Sequence, residues 1–189
     1  MTRAALVALL VLAAHAAAGD LPKKDRERAQ KSPHHGAVTV AIGAPPAPLL
    51  NLYNEHTHEW LAFAPASPPA DVTVDNFLRD HFTNRHTAMD PKLIHILIAA
   101  AAAFHADTVD IVSGFRHPKY NLMLRKKGHQ VARDSQHTHG NAIDFYLPHV
   151  ATLDLHAWAK RQKLGGVGLY LDSGFVHMDT GPIRYWSGD

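Results

Sequence analysis

Cysteine does not occur in this sequence. Its absence excludes a disulfide framework, a thiolate metal site and a cysteine nucleophile, so any bound metal must rest on nitrogen and oxygen ligands. Dense blocks of lysine and arginine are also lacking. With a formal charge of +2 and a pI of about 8.9, the chain has a weak bias toward anions, and nucleic acid is not expected as a partner. No apolar run is long enough to span a bilayer comfortably, the N-terminal stretch Ala4 to Ala18 being broken by His15. That stretch follows Arg3 and ends in Ala16-Ala17-Ala18-Gly19, small residues suited to signal peptidase, so residues 1–19 read as a signal peptide. No cysteine follows to carry a lipid. An exported chain with no membrane anchor after cleavage is expected, and a cysteine-free one suits an oxidising compartment.

What the sequence does have is histidine, 16 of 189 residues. Most should be bystanders: His34, His35, His56, His58 and His86 stand in polar or turn-like contexts where a solvated ring is the simpler reading. The alternate residues His56 and His58 could clip a metal from one strand face, but no third ligand stands near them in sequence. The length permits one domain with a full core. Residues 20–48 read as a flexible polar and proline-rich leader, and 49–189 as the folded domain, expected to be a monomer.

Within that domain, Leu49 to Ala64 reads as two short strands in a hairpin. Asp75 should cap a helix of about nine residues that carries Phe77 and Leu78. A second helix starts at Asp90-Pro91, and Leu93, Ile94, Ile96, Leu97, Ala100, Ala101 and Phe104 give it a broad apolar face. Val109 to Val112 is a buried strand opening into Ser113-Gly114-Phe115-Arg116, and His117-Pro118 starts another helix. Asn141 to Leu147 alternates, which puts Ile143, Phe145 and Leu147 on one face and Ala142, Asp144 and Tyr146 on the other. A helix over Val150 to Lys163 bears Leu153, Leu155 and Trp158, and Val167 to Leu171 and Phe175 to Asp179 form a last hairpin. Ile183, Tyr185 and Trp186 are expected to seal an edge of the core.

The chemistry gathers on Ser135 to Asp144, where His137 and Asp144 stand seven residues apart across Gly140. His177, in a strand whose face it shares with Phe175 and Asp179, offers a second imidazole. Two imidazoles and a carboxylate leave a tetrahedral zinc one open position, the ligand set of catalytic rather than structural zinc. Zinc in such a site brings the pKa of water to about 7 and polarises a carbonyl, so amide hydrolysis follows naturally. The reaction also needs a base and a cation for the oxyanion. Asp179 is placed to act as base or to orient a ligand, and Arg116 is the best-placed cation. His139 competes as a ligand, or could bind substrate or move protons. Taken singly, each histidine is more often a hydrogen-bonded structural residue, and Asp144 a cap or a paired carboxylate.

Ser135, His137, Gly140, Ala142 and Asp144 reproduce a Ser-x-His-x-x-Gly-x-Ala-x-Asp pattern, and with it the chain resembles the zinc D,D-carboxypeptidase and murein endopeptidase superfamily. Leu52-Tyr53-Asn54, Ser113 to Arg116, Asn121 with Leu124-Arg125, Gly165 to Gly168 and Phe175 to Gly181 are similar to its murein endopeptidase K-like branch. The resemblance covers roughly Leu50 to Trp186. It implies the Hedgehog/D,D-peptidase fold, here an α+β domain with a small antiparallel sheet that carries the site and packs against helices. It implies zinc on His137, Asp144 and His177, Arg116 at the oxyanion or substrate, and endopeptidase or carboxypeptidase action on the peptide stems of peptidoglycan in the periplasm or cell envelope. Many relatives carry a catalytic glutamate three residues before the last histidine, where this chain has Gly174. That leaves Asp179 as first and His139 as second choice for the base. A zinc-stabilised module that binds cell-wall peptides without turnover is the alternative, and the lack of a basic groove disfavours a metal-dependent nuclease.

Overall fold

The computed structural model of the chain describes residues 48–128 and 131–188. The signal peptide and leader expected from the sequence, residues 1–19 and 20–48, lie almost wholly outside the described residues. Strands β1 (Leu50–Asn54) and β2 (Glu59–Phe63) are followed by helices α1 (Asp71–Phe77) and α2 (Lys92–Ala103), strand β3 (Thr108–Ser113) and helix α3 (Pro118–Lys126). A 3₁₀ turn, Gln136–His139, leads into β4 (Ala142–Tyr146), then α4 (Thr152–Gln162), β5 (Gly166–Tyr170), β6 (Phe175–Asp179) and β7 (Arg184–Gly188). The seven strands form one sheet in the order β2-β1-β3-β4-β6-β5-β7.

The sheet is neither small nor purely antiparallel. β1 runs parallel to β3 and β5 parallel to β7, while the other neighbours are antiparallel. A parallel neighbour needs a crossover, and the chain between β1 and β3 supplies one through β2, α1 and α2. The α+β character holds, with the sheet corrected to a mixed one.

One face of the sheet makes the core. Leu52, Val109, Ile111, Ile143, Phe145, Val176 and Met178 are all fully buried in one cluster with Leu93, Leu97, Leu155 and Trp158 from α2 and α4. Burying each such side chain contributes about 1.5–3 kcal/mol. The alternation along β4 therefore turns Asp144 to the opposite face, as its sequence pattern requires. Helix α2 buries Leu93, Ile94, Ile96, Leu97, Ala100 and Ala101, the face its periodicity marks.

Three local expectations change. Helix α1 starts at Asp71, right after the proline-rich connector, and Asp75 lies inside it. Asp75 accepts the Met89 N–H at 2.8 Å, so it ties the helix to the next loop instead of capping it. In α4 the buried positions are Leu155, Trp158 and Ala159, and Leu153 is exposed, because it sits about 200° around the helix from Leu155. The C-terminal residues form β7, with Ile183 and Tyr185 exposed and Trp186 laid on Gly168 of the open sheet face, away from the core.

Candidate metal centre

Five strands carry the site in a single cross-sheet line. Trp186 of β7 stands opposite Gly168 of β5, Gly168 opposite His177 of β6, His177 opposite Asp144 of β4, and Asp144 opposite Ser113 of β3. His137 joins this line from the 3₁₀ turn, which Gly140 ends in the left-handed conformation at φ +74°. A Cβ on Gly140 would lie 2.4 Å from the Ala88 carbonyl oxygen, so the turn needs both the φ and the missing side chain.

His137, Asp144 and His177 are buried, and among the described residues they form the one group able to hold a metal. His137 Nε2 lies 3.2 Å from Asp144 Oδ1 and 3.1 Å from His177 Nδ1, and His177 Nδ1 lies 2.8 Å from Asp144 Oδ1. The far ring atoms decide what these near atoms carry. His137 Nδ1 is 2.7 Å from the Gly114 carbonyl oxygen, an acceptor only, so Nδ1 donates and Nε2 of the neutral ring holds a lone pair. His177 Nε2 is 2.9 Å from Asp179 Oδ2, which assigns its proton to Nε2 and a lone pair to Nδ1. Two nitrogen lone pairs and a carboxylate oxygen thus face one point. Three acceptors arranged in this way repel one another unless a proton or a cation lies among them, and nitrogen with oxygen is a ligand set that zinc accepts. The residues fit the metal that the resemblance implies.

The electrostatics agree. Burial works against charge on Asp144, yet the His137 and His177 imidazoles hold its carboxyl far below the ordinary carboxylate range. Burial pushes His137 below the usual imidazole value against the pull of Asp144. Burial also opposes charge on His177, but its bonds to Asp144 and Asp179 raise it.

Asp179 is wholly enclosed. Besides His177 Nε2, its carboxylate accepts the Gly166 and Gly181 N–H groups at 2.9 Å each, and Arg184 from two guanidinium nitrogens at 2.6 and 3.1 Å. Despite burial, these bonds hold it well below the usual carboxylate range. Arg116 reaches the cleft from the β3–α3 loop, with Nη2 3.6 Å from Asp144 Oδ2 and 3.4 Å from Ser113 Oγ. His139 lies apart, its exposed ring paired with Asp134 at 2.6 Å. Asp134 lines the cleft, a cavity of about 400 Å³ over the three ligands, together with Arg116, Tyr170, Arg184 and Trp186. The His56–His58 clip is not assembled: His56 stacks on His81 and His58 bonds the Tyr53 hydroxyl. Gly174 occupies the β5–β6 turn at φ +77°.

Several contributors carry no sequence signal. Trp186 sits 5.1 Å from the His177 ring, and its indole N–H donates to the Tyr170 hydroxyl. Gly168 is what admits it, since a Cβ there would lie 2.6 Å from the indole. Asp80, 1% exposed, accepts the Thr83 N–H at Oδ1 and the His117 N–H at Oδ2, while the Leu78 carbonyl takes the Phe115 N–H. These bonds grip the loop on both sides of Arg116. Asp80→Asn should cost about 1–3 kcal/mol, because a buried amide NH₂ must face one of those N–H donors. A denaturation midpoint unchanged from the native chain would contradict this.

Against this geometry, comparison with known proteins is direct. A family model described as peptidoglycan L,D-endopeptidase MepK matches residues 43–186. The chain belongs to the MepK family. The probable peptidoglycan L,D-endopeptidase MepK of Haemophilus influenzae is 33% identical over 159 residues, 80% of this chain and 86% of that protein. The peptidoglycan L,D-endopeptidase MepK of Escherichia coli K12 is 36% identical over 114 residues, 60% of this chain and 63% of that protein. No solved structure matches the chain significantly. The MepK match spans Arg116 and all three candidate ligands. These names are endopeptidase names, and nothing among them supports the carboxypeptidase option that the wider superfamily leaves open.

Proposed function

We propose that the chain is an exported metallo-endopeptidase that hydrolyses peptide cross-links of peptidoglycan at the His137–Asp144–His177 centre, acting as a monomer in the periplasm or cell envelope. The observation that carries this is the convergence of one ligand atom each from buried His137, Asp144 and His177, all within 4.8 Å of one another, in a member of the MepK family. The L,D stereochemistry in the relatives' names favours the diaminopimelate-to-diaminopimelate link over the D-alanyl one. Among the described residues no helix is long and apolar enough to cross a membrane.

His137, Asp144 and His177 would hold zinc, which when bound supplies an electrophile for the scissile carbonyl and acidifies the attacking water. The protein does the rest. The Gly114 carbonyl and Asp179 each hold an imidazole by its far nitrogen, which sets the tautomer and the aim of the ring. With all its partners satisfied, Asp179 is suited to this orienting role, the second of the two expected of it. Arg116 offers its guanidinium to the oxygen that becomes negative as the carbonyl is attacked. Asp134, exposed at the cleft and paired with His139, is the pair we assign to accept the proton, in place of a carboxylate at position 174. Tyr170 and Trp186 wall the cleft and restrict water.

The reading is tested with a purified diaminopimelate-linked muropeptide dimer, followed by mass spectrometry. Release of two monomers that stops with chelator supports it; an intact dimer with zinc-loaded protein overturns it. Asp179→Asn should weaken zinc binding about 10–100-fold, measured by competition with a chromogenic chelator. Unchanged affinity would remove the orienting role.

A further inference from the structure

A second line of residues crosses the open sheet face beside the metal line. Tyr146 lies two residues beyond Asp144 on β4 and stands opposite Asp110 of β3; Asp110 stands opposite Tyr53 of β1, and Tyr53 opposite Trp60 of β2. Because strand residues two apart share a face, this row and the metal ligands look the same way. Tyr146 is held by its hydroxyl on Glu55 at 2.8 Å, and Tyr53 by its hydroxyl on His58 at 2.7 Å. At the outer end the Tyr53 and Trp60 rings pack 4.6 Å apart at 36°, and Trp60 is 49% exposed. A cross-strand aromatic pair stabilises a hairpin, but that role does not require half an indole to stay in water. The core helices lie on the other face, so the row and the metal ligands share the open one.

Its distance from the metal line is informative. Trp60 is three strand spacings and a two-residue step from Asp144, roughly 16 Å. A peptide of four extended residues reaches at most about 14 Å. The span slightly exceeds that reach, so a stem peptide linked at the metal centre bridges it only together with its attachment to the sugar, which puts the sugar end at Trp60.

We propose that the Tyr53–Trp60 surface binds the glycan backbone of the substrate, with the C–H face of an N-acetylated amino-sugar ring stacked on the indole. Trp and Tyr suit such a ligand, since each presents an apolar body beside a polar tip to a molecule that is itself apolar on its faces and polar at its edges. The half-buried carboxylate of Glu55, which holds the Tyr146 hydroxyl, adds an acceptor along the row. The inference rests on the proposed endopeptidase function.

The test compares Trp60→Ala with the native chain on two substrates, polymeric peptidoglycan and a sugar-free linked peptide dimer. The ratio of kcat/KM on polymer to that on dimer should fall roughly 5- to 10-fold, the size of one lost aromatic stack. Trp60→Phe, which keeps a ring against Tyr53, should fall less and guards against a simple loss of fold. An unchanged ratio overturns the proposal, including the case where both rates drop together. Calorimetric titration with peptide-free glycan strands is independent of hydrolysis. Binding by the native chain that weakens in Trp60→Ala supports the surface even if no cross-link is cut, and no binding overturns it.

Discussion

His137→Ala is expected to lose stoichiometric zinc and to lower cross-link cleavage by at least about a thousandfold, the loss of several kcal/mol of electrophilic assistance. No neighbour can replace the ring. His139, the nearest imidazole in sequence, points outward to Asp134, and the centre itself is buried. The variant also separates metal binding from folding. In the metal-free native chain three ligand atoms crowd one point, so removing one imidazole eases the crowding while it opens a cavity and orphans the Gly114 carbonyl. Zinc should accordingly stabilise the native chain, by about 2.7 kcal/mol at a hundredfold excess over Kd. His137→Ala should show no such gain. A melting curve of each with and without zinc, together with metal analysis, checks both points, and a full equivalent of zinc in the variant would remove His137 from the ligand set.

Arg116→Ala should lower kcat roughly 10²–10³-fold and leave zinc stoichiometry intact. The guanidinium touches only the outer oxygen of Asp144, Oδ2, whereas Oδ1 meets the two imidazoles. It is therefore free to turn toward charge that develops on the substrate. Loss in kcat with little change in KM identifies a group that acts in the transition state; a raised KM with kcat preserved would make Arg116 a ground-state anchor for a substrate carboxylate. Arg116→Lys should recover only part of the rate, since a point charge does not reproduce the several donors of a planar guanidinium.

The parts of this protein that could be read from sequence are those set by short-range periodicity. Alternation over Asn141 to Leu147 assigns Asp144 to the open face because a strand has a period of two, and Gly140 marks the turn because only glycine fits against the Ala88 carbonyl. What escaped such reading depends on residues far apart in the chain. Strand β7 is mostly exposed and pairs parallel with β5, so Arg184 to Gly188 carries no apolar alternation to reveal it. The enclosure of Asp179 comes from Gly166, Gly181 and Arg184, and its full set of partners appears only once β5, β6 and β7 lie together. Asp75 reads as a cap because a polar residue precedes Phe77 and Leu78, yet the helix begins at Asp71, directly after the prolines, and encloses it. Asp134 directly precedes the Ser135 to Asp144 stretch but falls outside its pattern, and its place in the cleft appears only in the fold.

The most direct test of the whole account is a zinc add-back titration on metal-stripped protein, with release of monomers from a linked muropeptide dimer as the readout. Activity should be absent at zero zinc, rise linearly and stop rising at one equivalent, with His177→Ala flat throughout. Cleavage by fully stripped protein, or an equal response from His177→Ala, would contradict a hydrolytic centre built on His137, Asp144 and His177.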